Sequence, residues 1–456
     1  MIKTMLQKAE NVEEIKTKKH IFSGLNLLIF IALLLIADIL VFEIMAGALI
    51  LAGTVLLLVA LLNPKILYFV LISLFSLEGF AAFENVSYPK IVAALLMIGL
   101  TVRMALTKGS VPKDNSYKYL LLFLTGSIVS FPFAKEFYVS LQSYITYVAL
   151  FVLYFLTRYF LKTERDIINV LNYLFISTLV TFAIVKITGL SVRQDMSSRV
   201  SSGIGDPNAF ASYILVLIPL TLYRALHTSG ILRITYWACV ISFIILLAYS
   251  GSRGGILGFI GSVGVLVYYY GRGRPRQILL FVVILIFISY YFVPDEYWMR
   301  ASSILHPETD QDRSISTRID NYSASLRMFF DYPVAGVGLN NFQFNAGDYG
   351  LRKSLVVHNT FLEILSGGGL LSFIPFSLIL INCWQKLKLK RKYEKTMCDL
   401  IICLKASFVS ILITSSFISG DHKKILWFLL ALIASVYYIS NQRDARCRAS
   451  GESNYC

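Results

Sequence analysis

The sequence predicts an all-α integral membrane protein, a polytopic helical bundle of about twelve to fourteen spans with one large extracytoplasmic loop containing short helices. Three observations predict it. Of 456 residues, 56% are hydrophobic and mean hydropathy is +0.67, more apolar surface than a soluble chain of this length can bury. The apolar residues fall in repeated runs of roughly 17 to 25, the length a helix needs to cross a bilayer. Lysine and arginine gather in alternate loops, as the positive-inside rule requires. The formal charge of +15 therefore reads as topology. No nucleic-acid motif accompanies it, so no nucleic-acid partner is expected.

In chain order, residues 1–23 form a polar, basic cytoplasmic segment. The first apolar run lacks a small-residue cleavage site, so it is expected to be a retained helix and not a signal peptide. Apolar stretches follow at 24–41, 44–62, 66–83, 91–106, 119–133, 138–160 and 167–190, which make an N-terminal transmembrane block over 24–190. Further stretches at 208–225, 231–249, 255–270, 278–293 and 359–384 belong to a region 191–384, interrupted by a long polar loop at 294–357. Stretches 400–418 and 425–439 lie in a C-terminal block, 385–456, that ends in a cytoplasmic tail. Arg272, Arg274 and Arg276, and the basic run from Lys386 to Lys395, mark inside loops. Both termini are then cytoplasmic. The segments around Arg199, Arg253 and His358 all fall on the opposite face. None of the six cysteines lies in an outer loop, so no outer disulfide is expected. No His/Cys set has zinc spacing.

Four constellations carry the chemistry. In Ser197–Phe210, Asp206 suits a helix N-cap and Pro207 the first helical position. With Arg199 nearby, that helix start offers amides to an anion. Ser250-Gly-Ser-Arg-Gly-Gly255 is a tight turn that places Arg253 at the membrane boundary, where an Arg fork matches phosphate oxygens and where snorkelling is the alternative. Within 314–330, Ile319, Tyr322, Leu326 and Phe330 form one helical stripe, with Arg318 and Arg327 off it. This predicts a helix lying apolar side down on the membrane and able to lid a site. Finally, His358 stands at the start of the span at 359–384, where an imidazole is biased towards the neutral form that accepts a proton. The other four histidines, His422 among them, have bland settings.

The stretches Arg199…Gly205-Asp-Pro-Asn-Ala-Phe210, Ser252-Arg-Gly254, Arg318…Asp331-Tyr-Pro-Val-Ala-Gly-Val-Gly338 and His358-Asn-Thr-Phe-Leu362 resemble, in order and spacing, the bacterial O-antigen ligase and polymerase superfamily with its Wzy-type C-terminal domain. The resemblance covers about Arg199 to Leu371. It implies a GT-C-like membrane glycosyltransferase of the bacterial inner membrane. Such an enzyme moves a glycan from an undecaprenyl diphosphate carrier to an acceptor hydroxyl on the outer face, in lipopolysaccharide or exopolysaccharide assembly, as ligase or polymerase. The partners implied are that lipid-linked donor, a glycan or lipid acceptor and the membrane lipids. Inversion and independence of metal and cofactor are expected with it. Assigned through the resemblance, His358 is the catalytic base. Arg199, Arg253 and Arg318 bind the diphosphate, and Asp206, Asn208 and Asn359 support them. Family members often carry an acid about nine positions after the histidine. Here that position is Gly367, and the nearest acid, Glu363, lies at another helical phase. A lipid-linked glycan flippase and a non-catalytic assembly partner are the alternative classes.

Overall fold

The structure, a computed structural model, describes residues 53–107, 113–188, 201–271, 312–351, 356–389 and 394–450, apart from a few isolated positions within those ranges. The expected spans at 24–41 and 278–293, most of 44–62, Arg199 and the turn at 272–276 lie outside them.

The described chain is helical apart from one two-stranded hairpin. Helix α1 (Pro64–Ser73) tightens into a 3-10 turn at Leu74–Leu77. Strands β1 (Ala81–Phe83) and β2 (Val86–Ser87) pair antiparallel and lead into α2 (Tyr88–Thr107). Next come α3 (Ser116–Ile128), α4 (Phe137–Phe160) and α5 (Glu164–Thr188). They are followed by α6 (Pro207–Leu226), α7 (Gly230–Tyr249) and α8 (Arg253–Tyr270). The polar loop contributes α9 (Asp312–Asp331) and the short α10 (Phe342–Asn345). The last three are α11 (Thr360–Lys386), α12 (Lys395–Ser415) and α13 (Lys424–Ser450). Seven of the described helices are long and apolar enough to cross a membrane: α4, α5, α6, α7, α11, α12 and α13. The protein is thus an all-α multi-pass membrane protein.

The expected span at 66–83 is corrected. The helix stops early because Glu78 brings a charge and Gly79 a flexible backbone. Glu78 instead pairs with Lys424 at the head of α13, 3.0 Å away.

Helix α6 is apolar all round and enclosed along 94% of its spanning window, which makes it the central post. Its polar residues bond to α12: Ser212 Oγ lies 2.9 Å from Thr414 Oγ1, and Ser407 Oγ donates to the Val216 carbonyl. Helix α8 packs on the same two helices through glycine. A Cβ on Gly258 would fall 2.7 Å from Thr414 Cγ2 and 3.0 Å from the Ser410 carbonyl oxygen. Small residues let backbones approach this closely where lipid supplies no hydrophobic force between helices.

Helix α11 is broken in its upper half. Gly369 has φ 59° and ψ −162°, a region essentially reserved for glycine. The loop after α9 docks into the break. Val337 and Gly338 amides donate to the carbonyls of Ser366 and Gly367, at 2.8 and 3.0 Å. Leu370 and Leu371 amides donate to the carbonyls of Pro333 and Val334, at 2.9 and 3.2 Å. A Cβ on Gly369 would lie 2.3 Å from the Val334 carbonyl oxygen. Gly369→Val is therefore expected to cost about 3 kcal/mol or more, from backbone strain and overpacking together. Thermal unfolding in detergent checks it against Gly264→Ala, whose added methyl meets nothing within 4 Å and should leave the midpoint near that of wild type.

Candidate active site

The site lies where α9, the start of α11, the start of α6 and the connection 416–423 meet. Asn359 caps α11, its side chain accepting from the amides of Phe361 and Leu362. The chain turns sharply just before this cap, and His358 takes φ +59°, unusual for a residue with a side chain. Four hydrogen bonds hold the turn. The His358 amide donates to Ser419 Oγ at 3.1 Å, and the Tyr322 hydroxyl sits 3.2 Å from the His358 carbonyl oxygen. Thr360 Oγ1 donates to the Ile418 carbonyl at 2.8 Å and accepts from the Gly420 amide.

Glu363 lies beneath this turn, 5% exposed. Its carboxylate accepts from the Val357 amide at 3.3 Å and from the Ser419 hydroxyl at 3.1 Å. Ser419 thus links the Glu363 carboxylate to the His358 backbone. A carboxylate does support the histidine turn, from a helical phase other than the expected one, and it grips the main chain, not the imidazole. Gly367, where an acid was sought, faces the docked loop. A Cβ there would lie 3.1 Å from the Gly338 carbonyl oxygen, so a carboxylate would meet a like partial charge.

Helix α9 covers the turn as a lid, presenting Asn321 and Ser325 to it and leaving most of the apolar stripe facing out of the protein. Asn321, Ala324, Ser325 and Met328 are buried, while Ile319, Leu326 and Phe330 are 61%, 40% and 73% exposed. Asn321 Nδ2 donates to the Val356 carbonyl at 3.0 Å, and Ser325 Oγ donates to the Leu362 carbonyl at 3.1 Å. The Tyr322 hydroxyl also reaches the Ser416 carbonyl at 3.1 Å. Hydrogen bonds to the histidine turn thus claim the polar face, and of the apolar stripe only Tyr322 turns inward. Arg318 sits one turn before Tyr322 on that inward side. Arg327 points elsewhere and donates to the Tyr349 carbonyl.

The electrostatics bring three of the expected residues together. Burial pushes the half-buried His358 imidazole below its usual range, the Arg318 guanidinium adds to that, and the Asp206 carboxylate opposes it. Asp206 also caps α6, accepting from the Ala209 amide at 2.7 Å. Its neighbour Asn208 occupies the first turn of the same helix. Arg253 opens α8 behind the Ser252 cap. The adjoining Gly254 backs onto Phe417, which a Cβ would approach to 2.9 Å. The Arg253 turn therefore abuts the same 416–423 connection that holds His358.

That connection is the part sequence reasoning missed. Besides Ser416, Phe417 and Ser419 it carries Asp421 and His422, whose Oδ2 and Nδ1 lie 2.8 Å apart. Tyr147 donates to the same carboxylate oxygen and stacks on the His422 ring at 4.5 Å. The only hint in the sequence was Ser-Gly-Asp-His between two apolar runs. Burial works against the charge on His422, but the Asp421 carboxylate prevails and holds its pKa above the usual imidazole range. The stabilisation from that shift is in place below about pH 6.5 and is lost as pH rises through the raised value in the folded protein. The gap in melting temperature between wild type and His422→Gln should accordingly narrow from pH 6 to pH 9; a gap that widens would contradict the pairing.

Residues 238–377 match the family model described as O-antigen ligase, Wzy_C. That stretch, about a third of the chain, is similar to the O-antigen ligase family. A comparison with curated proteins finds no match. The matched stretch contains Arg253, Arg318, His358, Asn359 and Glu363. Asp206 and the 416–423 connection approach from outside its limits, so the flanking helices complete the cluster that it begins.

Proposed function

We propose that this protein transfers a glycan from a polyprenyl diphosphate carrier to an acceptor hydroxyl, with His358 as general base. The observation that carries the reading is the His358 turn, held by Ser419 and Tyr322 under the helix that carries Arg318, within residues 238–377 that match the O-antigen ligase family. The acceptor oxygen attacks the anomeric carbon while the bond from that carbon to the diphosphate oxygen breaks. The acceptor proton passes to His358, and polyprenyl diphosphate leaves with the bonding pair. Attack opposite the leaving group inverts the anomeric centre. Arg318 and Arg253, together with Arg199, offer guanidinium forks to the charge that grows on the leaving diphosphate. Asp206 favours the imidazolium once it forms.

This reading sets the site on the extracytoplasmic face of a bacterial inner membrane, with both termini inside, from the distribution of basic loops. It assigns the charge of the leaving diphosphate to the arginines and not to a metal, although Asp310-Gln311-Asp312 in the loop has the Asp-x-Asp spacing that a Mg²⁺ ion could use. The test is turnover of a polyprenyl-diphosphate-linked oligosaccharide by the purified chain in liposomes, with and without acceptor. Acceptor-dependent release of polyprenyl diphosphate that persists in chelator is expected. Movement of donor between leaflets without release would favour a flippase. Loss of release in chelator, restored by added metal, would overturn the metal-free mechanism.

A further inference from the structure

Helix α11 begins beside His358 and runs 27 residues to Lys386, about 40 Å at helical rise. At that far end a cavity of about 360 Å³ opens among α4, α11, α13 and the segment before α3. Three cations line it, Lys113, Arg158 and Lys386, against one carboxylate, Asp114, among the described residues. Arg158 Nε lies 3.1 Å from Asp114 Oδ2, and Lys386 Nζ lies 2.6 Å from Oδ1. The Tyr154 hydroxyl and the Ser116 amide also donate to this carboxylate, at 2.7 and 2.9 Å. Asp114 is thus fully engaged.

Two cations share that single charge, and they are not surface groups. The Arg158 side chain is 2% exposed and that of Lys386 is 9% exposed. A snorkelling cation keeps its head in water; these do not. Burying an excess positive charge is costly unless an anion accompanies it. The rest of the lining is rich in donors. Arg158 stacks over the Tyr438 ring at 5.0 Å and donates to Ser435 Oγ. The Tyr438 hydroxyl accepts from Gln442 at 2.7 Å, so its own proton can turn elsewhere. Asn382 spends its carbonyl on the Ser116 hydroxyl at 2.9 Å, so its amide hydrogens remain to donate. A cavity of this size is in the range that holds small ligands.

We propose that this cavity is a second binding site, for a phosphoryl anion, at the end of the bundle remote from His358. Arg158 supplies the fork, Lys386 and Lys113 supply charge, and Asp114 holds the first two in place. The phosphoryl group belongs either to a soluble phosphate compound or to an anionic lipid headgroup.

The full chain in phosphatidylcholine nanodiscs separates the sources. Inorganic phosphate and pyrophosphate are titrated as soluble probes, and phosphatidic acid is added to a parallel set of discs. A saturable rise in melting temperature with the soluble probes assigns a soluble ligand; a rise only with phosphatidic acid assigns a headgroup. Arg158→Lys keeps the charge and loses the fork, and it should abolish the rise. Lys113→Gln changes an exposed residue that the fold does not need, and it should weaken binding about tenfold while glycan transfer is unchanged. If Arg158→Lys fails to fold, Lys113→Gln carries the test alone. No rise with any probe, or an equal response in wild type and Lys113→Gln, overturns the proposal.

Discussion

His358→Ala is expected to lower the rate of glycan transfer by about 10²–10⁴-fold, with donor affinity retained through the arginines. The backbone supplies an unusual control. His358 sits at φ +59°, where glycine is at ease and other residues are strained, so His358→Gly removes the imidazole and relieves the turn at once. A rate lost equally in both variants, with melting temperature kept or raised in the glycine variant, belongs to the imidazole. The pH profile gives an independent reading. The base must be neutral in the free protein, and its pKa is pushed below the usual imidazole range. Activity should therefore hold through pH 6.5 and fall only on further acidification. Donor affinity that collapses together with the rate would instead make His358 a ligand of the diphosphate.

Arg318 should carry the next largest effect. Arg318→Lys keeps the charge but not the planar fork, and a loss of about 10²–10³-fold in transfer is expected if the fork holds the leaving diphosphate. Arg318→Gln tests the electrostatics separately. Arg318 lowers the His358 pKa, so removing its charge should move the acid limb of the pH profile upward. A purely structural Arg318 would leave that limb where it is. Wild-type turnover in Arg318→Lys would sink the diphosphate role.

Most of the spans were legible because burial in lipid leaves a long, uninterrupted apolar record. The helices at Phe137–Phe160, Pro207–Leu226 and Gly230–Tyr249 fall within a few residues of their expected limits. The stretch at 66–83 misled because its apolar residues continue through Ala81–Phe83, which is strand. Periodicity cannot see that Glu78 finds a partner at Lys424, far along the chain. The inner face of α9 was not legible for a related reason. A hydrophobic stripe shows which side avoids water, whereas α9 is oriented by side-chain donors meeting main-chain carbonyls of the histidine turn. Within the site, the cap at Asp206 was readable from local spacing, whereas the cap at Asn359 emerged only with the structure. Ser419 and Glu363 were not readable, since their roles exist only after α11 and α12 come together.

The four main-chain hydrogen bonds between the 333–338 loop and the broken turn of α11 bear on how a substrate gets in and out. A cover attached by side chains can swing like a flap. This one is stitched by its backbone into the middle of a span, and lifting it would break all four bonds together, at about 0.5–1.5 kcal/mol each. That loop is thus part of the wall, while α9, which covers the histidine turn, reaches it through side chains. The loop stays with its span, so any opening above the histidine turn falls to α9.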